Sequence, residues 1–485
     1  MREDPLIAPA GPGISAGTVL THPDPMAPAA PVDHEQRASA GPGGPAEKND
    51  PENEKQAPQP GQGIAAAYHP QTMKIEKLLV ANRGEIAVRV FRTCRELGIA
   101  TVAVAAPDDS GSLHARSADE TIEIGSYLLA AEHVRAAQEA GADAIHPGYG
   151  FLAENADFAA AVEAAGLTWV GPPAEALRRG GDKLSAKRIA LDSGVPVVPT
   201  GEPAEIGFPL LVKAAAGGGG RGMRVVRGPD ELDEALEAAA REAEAAFGDG
   251  TVFCERYVER PRHVEIQLLA DTHGTVLALG ERDCSVQRRH QKVLEESPSP
   301  AVDPELRAEM SEAAIAFANG IGYASAGTAE FMLDGRDFFF LELNGRIQVE
   351  HPVTELVSGR DLIRDQIRIA EGERLDPSNS LLQGHAVEVR LYAEDPRSFL
   401  PQAGTLERLR LPTGIRVDAG VAEGDEIGIG YDPMIAKLIA HGPTRMEALA
   451  RLGDALAETE VGGVTTNLPF LRWLVTHPVV LAGEA

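Results

Sequence analysis

Between Phe338 and His351 the chain reads FFFLELNGRIQVEH, and its even positions from 342 to 350 are Glu342, Asn344, Arg346, Gln348 and Glu350. Leu343, Gly345, Ile347 and Val349 fall between them. A period of two is a strand signature, with alternate side chains on opposite faces. A solvent face mixes replaceable polar residues. Here one face would gather carboxylates, amides and a guanidinium in an order that can hold a metal, an anion and a base. The stretch therefore reads as a reaction surface on a strand.

The segment TAEFMLD, residues 328–334, is its expected hairpin partner, joined by a three-residue loop at Gly335, Arg336 and Asp337. Pairing Asp334 with Phe338 sets Met332 against Phe340, Glu330 against Glu342 and Thr328 against Asn344. Two carboxylates directly opposite repel. A hard divalent cation removes that cost, and Mg²⁺ takes one or two carboxylates plus substrate phosphates. The alternative is an edge hairpin with a wet polar face, its register off by one. The flanking phenylalanines favour the buried hairpin and the metal.

Two further segments carry charge chemistry. KAAAGGGGRGM runs from Lys213 to Met223 after the apolar segment 209–212. Its glycines, Gly217, Gly218, Gly219, Gly220 and Gly222, let backbone N–H groups wrap phosphate oxygens, and Lys213 adds a point charge. The loop leads into a β segment at 223–226, so neither the P-loop nor the dinucleotide fingerprint fits. A flexible linker is the alternative, disfavoured by the apolar strands on both sides. In ERDCSVQRRHQK, Arg288, Arg289, His290 and Lys292 can neutralise a polyphosphate. A solvated loop or a nucleic-acid patch are the other readings, and the lack of interleaved aromatics argues against nucleic acid. Cys284 reads as a small packing residue. His146, His263 and His385, taken singly, read as structural. Arg390, alternating with Glu388 in HAVEVRLY, by itself fits a structural ion pair.

These residues need a scaffold, and 485 residues suffice for two to four domains. A net charge of −28 argues against nonspecific binding to nucleic acid or anionic membranes. Three cysteines without CxxC spacing speak against a disulfide framework or structural zinc and for a reducing compartment. No apolar run approaches the ~20 residues of a membrane helix, and the N-terminus has no secretory pattern. The expected location is cytoplasmic. Residues 1–72, rich in Pro, Ala and Gly, read as a disordered extension; Met73 is an alternative start. From 73 to 187 strands at 77–81, 101–105, 144–146 and 168–170 alternate with helices at 86–97, 131–140 and 157–165. That is the pattern of an open parallel α/β sheet, which binds ligands beyond the carboxyl ends of its strands. Residues 188–257 read as a smaller α+β unit with one long helix at 230–246, and 258–485 as a larger α+β region.

Taken together, the ordered segments LVANRGEIAVRV, ADETIEIG, HPGYGFLAEN, GDKLSAK, KAAAGGGGRGM, PRHVEIQ, ERDCSVQRRHQK, GTAEF, LELNGRIQVEHPVTE, GHAVEVRLYAEDP and YDPMIAKLI resemble the biotin carboxylase component of biotin-dependent carboxylases, in the ATP-grasp superfamily. The resemblance runs from Met73 to about Leu471. It implies an α/β ATP-grasp enzyme with an N-terminal open parallel domain, a small α+β lid and a C-terminal α+β domain. It implies that Lys183, Lys213, His263, Gln287 and His290 contact ATP, with Glu255 and the backbone near Tyr257 and Val258 at the adenine. The glycine loop would close over the phosphates. Glu330 and Glu342, with Asn344 beside them, would hold Mg²⁺ or Mn²⁺. Arg346, Gln348 and Val349 would bind bicarbonate, Glu350 would deprotonate it, and Lys292 would lie near the transferred phosphoryl group. Arg390 would steady the enolate-like oxygen of biotin, with Tyr149 near the ring. The implied product is carboxybiotin, formed through carboxyphosphate as the first half-reaction of an acyl-CoA carboxylase. Acetyl- or propionyl-CoA and fatty acid biosynthesis are the expected destination, with pyruvate or urea as other acceptors and a silent ATP-binding regulator as the non-enzymatic alternative.

Gly345 stands where the family often has Thr or Pro, Ala216 replaces one glycine of the usual run, and 201–206 is shorter than in many relatives. No Met-Lys-Met occurs among the eight methionines. The expected partners are therefore a biotin carboxyl carrier protein and carboxyltransferase subunits as separate chains, with this chain a homodimer.

Overall fold

Lys77–Val80 (β1), Ala100–Ala105 (β2), Glu120–Glu123 (β3), Ala144–His146 (β4) and Thr168–Trp169 (β5) form one sheet in the order β3-β2-β1-β4-β5. Every pairing in it is parallel. The structure, a computed structural model, describes residues 74–214, 223–247, 249–288, 291–377 and 382–485; the expected extension at 1–72 and the start at Met73 lie outside them. β1 and β2 read as nearly continuous apolar runs, KLLV and ATVAVA, because helices cover both faces of a parallel sheet. β3, ETIE, escapes the sequence reading because it is a half-exposed edge strand with charged ends.

The strand order reverses between β1 and β4, which opens a crevice at their carboxyl ends. Asn82, just past β1, donates from Nδ2 to the carbonyls of Pro147 and Tyr149 just past β4, both at 2.8 Å. Gly148 lets these turns meet: its φ is +65°, and a Cβ there would lie 2.8 Å from Asn82 Nδ2. The helix Gly84–Leu97 then packs Ile86, Val90, Phe91 and Cys94 on the sheet and stops at Gly98 in the left-handed conformation.

Leu210–Ala214 (β6), Arg224–Val226 (β7) and Val252–Arg256 (β8) form a small antiparallel sheet, ordered β7-β6-β8. The helix Leu232–Phe247 lies against it through Ala235 and Ala239, one turn apart. The short 201–206 segment still holds a four-residue helix, Pro203–Ile206.

Arg262–Ala270 (β9), Val276–Arg288 (β10), Gln291–Ser297 (β11), Ser325–Asp334 (β12), Asp337–Asn344 (β13) and His385–Tyr392 (β14) join the strands Met434–Gly442 and Arg416–Ala419 in an eight-stranded antiparallel sheet. Its order is β13-β12-β9-β10-β11-β14, then 434–442 and 416–419. The helix Pro304–Ile321, capped by the Asp303 side chain on the Leu306 amide, fills one side with Leu306, Met310, Phe317 and Ile321.

Two expectations from the sequence need correction here. The hairpin loop has two residues, not three: Asp334 pairs with Asp337 and Met332 with Phe339. Gly335, with φ +62°, occupies the first loop position, as a type II′ turn requires. A bulge between the Phe331–Phe340 and Glu330–Glu342 pairs, at Leu341, cancels the one-residue error, so Glu330 faces Glu342 and Thr328 faces Asn344 as expected. Second, the strand ends at Asn344. Residues 345–350 form a turn into the helix His351–Ser358, with Glu350 at its N-cap and Pro352 in its first turn. The Gly345 amide donates to Glu154 Oε1 at 2.9 Å instead of to a ladder. Alternation persists there because Ile347 is buried in the core while its neighbours turn to the other side.

Glu296 on β11 ties the far side of this sheet together. Arg445 donates to both its oxygens at 2.6 and 2.9 Å, and His385 Nε2 stands 2.7 Å away. Burial opposes ionisation, but His385 and Arg445 outweigh it and hold the carboxyl below its usual range. Glu296→Ala is expected to cost about 3 kcal/mol at neutral pH, the scale of a broken buried pair. A depressed folded pKa contributes above the ordinary carboxylate value and is lost as pH falls through the folded one. The wild-type advantage over Glu296→Ala in urea denaturation should therefore shrink as pH drops below about 4.

Candidate active site

Strand pairing sets a row of charge across the eight-stranded sheet. Arg282 on β10 lies opposite Glu265 on β9, which lies opposite Glu330 on β12, which lies opposite Glu342 on β13. Arg282 is fully buried and donates to Glu265, Gln267, Thr354 and Thr328 at 2.5 to 3.0 Å. That leaves three carboxylates in a line with one of them neutralised. His263 approaches Glu330 Oε2 to 3.0 Å. Burial lowers its pKa, but Glu265 and Glu330 outweigh that and raise it to about 9.

Lys292, from β11, closes the cluster from above. Its Nζ donates to Glu265 Oε2 at 2.6 Å, Glu330 Oε1 at 3.0 Å and Glu350 Oε1 at 2.6 Å. Burial disfavours the ammonium, yet Glu265 and Glu350 hold its pKa well above the ordinary lysine value. The second oxygen of Glu350 accepts from Arg390 Nη2 at 3.1 Å. Burial would raise Glu350, but Lys292 and Arg390 more than offset it, and the carboxyl lies below its usual range. It is ionised at neutral pH. Arg390 Nη2 also stands 2.5 Å from Glu295 Oε1. Burial pushes Glu295 up to about 7, against the pull of Arg390.

The turn after β13 supplies a fork of donors. Arg346 donates to Asn344 Oδ1 at 2.9 Å and Gln348 Oε1 at 3.0 Å, and stands 3.2 Å from Glu154. Asn344 and Gln348 in turn donate to Glu330 Oε1 at 2.8 and 3.1 Å. Glu342 is exposed, and burial of its base together with Glu330 raises its pKa. The Glu330–Glu342 pair thus carries the repulsion a divalent cation would relieve, whereas the denser His263–Glu265–Glu330 cluster is already neutralised by Lys292.

These groups face a cleft of about 860 Å³. Of the residues named from sequence, it is lined by Tyr149, His263, Gln287, Lys292, Glu330, Glu342, Asn344, Arg346, Gln348, Val349, Glu350 and Arg390. Lys183 instead lines an adjoining pocket of about 300 Å³ that shares Glu342 and Asn344. Lys213 and Glu255 pair at 2.5 Å across the small sheet, outside the cleft lining. Near them the Tyr257 amide donates to Pro209, and Val258 packs with Val198 and Phe339. Gly217, Gly218, Gly219, Gly220, Gly222 and His290 lie outside the described residues. Cys284 is buried, 3.9 Å from Glu350, and burial keeps its thiol protonated.

Sequence reasoning missed Glu265, Arg282, Glu295, Lys187 and Glu154. Glu265 follows His263 by two on a period-two strand, and Lys187 follows Lys183 by one helical turn to reach Glu255 at 3.1 Å. Those spacings were the available signal. Arg282 had none, since its partners come from three other elements.

Comparison with known proteins covers nearly the same span. The family profile "Biotin carboxylase, N-terminal domain" matches residues 74–177, "Carbamoyl-phosphate synthase L chain, ATP binding domain" 199–378, and "Biotin carboxylase C-terminal domain" 388–485. A biotin carboxylase of Halalkalibacterium halodurans is 48% identical, covering 84% of this chain and 96% of that one. The mitochondrial methylcrotonoyl-CoA carboxylase subunit alpha of Glycine max is 50% identical over 85% of this chain and 60% of its own. The chain spans about 60% of the length of the methylcrotonoyl-CoA carboxylase alpha subunits it matches. Among solved structures, the biotin carboxylase domain of Hydrogenobacter thermophilus 2-oxoglutarate carboxylase, in complex with MgADP, ADP and bicarbonate, has a TM-score of 0.78. It is 45% identical, covering 85% of this chain and 96% of that one. A Campylobacter jejuni biotin carboxylase has a TM-score of 0.79 at 41% identity, covering 85% and 97%.

Lys292→Met would leave Glu265, Glu330 and Glu350 without their shared ammonium. We expect a loss of about 3 to 5 kcal/mol at pH 8. All three carboxyls are depressed in the folded protein, so the stability they contribute is present above the ordinary carboxylate range. In the variant they rise and can take up protons, so the loss should shrink at pH 5. Urea denaturation at both pH values reads this; an equal loss at both would contradict it.

Proposed function

The chain belongs to the biotin carboxylase family of ATP-grasp enzymes, and on that premise we propose that it uses ATP and bicarbonate to carboxylate carrier-borne biotin for transfer to a CoA thioester. The observation that carries this reading is Glu350, held by Lys292 on one oxygen and by Arg390 on the other. Lys292 also reaches the Glu330 end of the cleft, so one carboxylate links a nucleotide-and-metal end to a biotin end.

In this reading Arg346, Gln348 and Val349 hold bicarbonate beside Glu350. Bicarbonate is a weak nucleophile and a poor electrophile, so it needs activation by phosphoryl transfer, which rests on alignment and charge neutralisation. Glu350 removes its proton, and its depressed pKa keeps the base ionised at neutral pH. Lys292 and Arg346 offset the charge developing on the oxygens. Lys183, Lys213, His263, Gln287 and His290 bind ATP, Glu255, Tyr257 and Val258 border the adenine, and the glycine loop at 217–222 covers the phosphates. Glu330, Glu342 and Asn344 would hold Mg²⁺ or Mn²⁺, which when bound neutralises phosphate charge. The carboxyphosphate formed decays to CO₂ and phosphate, and the phosphate takes the proton from biotin N1′. Arg390 then steadies the biotin oxyanion, with Tyr149 beside the ring. Anion and biotin must displace the present contacts of Arg346 and Arg390 with neighbouring side chains.

The CoA thioester acceptor is supported by the methylcrotonoyl-CoA and propionyl-CoA carboxylase relatives, at 50% and 46% identity. Similar carboxylase domains from 2-oxoglutarate and pyruvate carboxylases, at 45% and 46%, keep a 2-oxoacid acceptor as the second reading. The proposed partners are a biotin carrier, a carboxyltransferase and a second copy of this chain. None of the described helices is long and apolar enough to cross a membrane. All three cysteines are buried and unpaired, which supports a reducing, cytoplasmic setting; the plant relatives are named as mitochondrial.

The test is phosphate release from ATP that requires Mg²⁺ and bicarbonate and rises with free biotin; a folded sample lacking it would overturn the reading. Glu350→Gln should lower that rate by about two to four orders of magnitude with ATP binding retained. Arg390→Ala should impair biotin carboxylation more than ATP binding, and equal loss of both would contradict the role given to Arg390.

A further inference from the structure

Lys437 has no part in the mechanism above, yet it is fully buried. It sits on the strand Met434–Gly442, opposite Arg390 on one neighbour and Asp418 on the other. A buried ammonium is costly unless neutralised and hydrogen-bonded. Its Nζ donates to the Val349 carbonyl at 2.6 Å and stands 3.1 Å from Glu85 Oε1. The same Glu85 oxygen accepts from the Tyr149 hydroxyl. An unbroken chain thus runs from the turn beside Glu350, through Lys437 and Glu85, to the tyrosine on the opposite wall of the cleft.

The partners come from different layers. Glu85 and Tyr149 follow β1 and β4 at the crevice of the parallel sheet, while Val349 and Lys437 belong to the eight-stranded sheet and the turn after it. A purely structural ion pair does not account for this choice. Asp418, directly opposite, is held by Arg416 at 2.8 Å and Arg92 at 3.1 Å. Glu388, buried on the adjoining strand, has neither oxygen hydrogen-bonded among the described residues. The ammonium makes its shortest contact with a neutral carbonyl of the cleft instead.

We propose that Lys437 is a positioning residue, which holds the Val349 turn and the Tyr149 ring on one frame and so fixes the spacing between the bicarbonate and biotin ends of the cleft. The inference rests on the reading of the cleft given above. It makes the two ends interdependent: loosening the tyrosine must loosen the turn, though no direct bond joins them.

Steady-state kinetics of the full chain test this. Lys437→Met should raise the KM for bicarbonate, measured by ATP cleavage without biotin, about tenfold, as loss of a hydrogen bond to a charged group predicts. The KM for ATP should stay within about twofold. A rise in both KM values together would show general disruption and overturn the proposal. Tyr149→Phe keeps the ring, removes only the hydroxyl, and serves even if Lys437→Met does not fold. It should raise the bicarbonate KM about threefold without biotin present, and add little on the Lys437→Met background because the two share one path. A Tyr149→Phe enzyme with a raised biotin KM but a wild-type bicarbonate KM would sink the proposal. Absence of bicarbonate-dependent cleavage in the wild type would instead sink the functional reading on which it rests.

Discussion

Five glutamates, Glu265, Glu295, Glu330, Glu350 and Glu388, are buried on or beside one sheet, and they cannot all be charged without cations set among them. Arg282, Lys292 and Arg390 are those cations, and Lys292 and Arg390 each serve more than one carboxylate. Where the supply runs out, the protonated acid is favoured: burial drives Glu388 well above the ordinary carboxylate range, beyond what Lys437 can offset. Antiparallel pairing distributes this charge, because side chains opposite one another on adjacent strands share a face. The sheet therefore acts as the template on which the cleft's electrostatics are laid out.

Much of this architecture was legible in the sequence. Apolar runs such as KLLV and ATVAVA announce a parallel sheet because both of its faces are covered. The facing of Glu330 and Glu342 followed from the hairpin, although the loop length was misjudged, since an unforeseen bulge restored the offset. The alternation past Asn344 identified residues that do converge, but for a different reason. A turn threading between core and cleft sorts apolar from polar residues as a strand does.

What escaped the sequence depends on distant pairing. Lys437 meets a carbonyl 88 residues earlier in the chain, and Arg89 meets Glu355 across 266. No local period encodes such contacts, because they exist only after sheets and helices have docked. The resemblance to a family named the residues proposed to touch reactants. It was silent on those that hold them, such as Glu265 and Arg282, whose role is visible only as geometry.

The bulge in the hairpin carries a consequence for where its register is set. Its register is anchored at the cleft end, where Thr328 faces Asn344 and Glu330 faces Glu342, while the bulge at Leu341 separates that end from the Gly335-Arg336 tip. Leu341 is exposed and lines the small pocket that also holds Lys183. One bulge residue offsets the two-residue loop by one position, so the facing of the carboxylates is set at the bulge and not at the tip. The reactive end is thereby set apart from the tip, whose Arg336 pairs instead with Asp303, Glu305 and Glu309 at the start of the helix Pro304–Ile321.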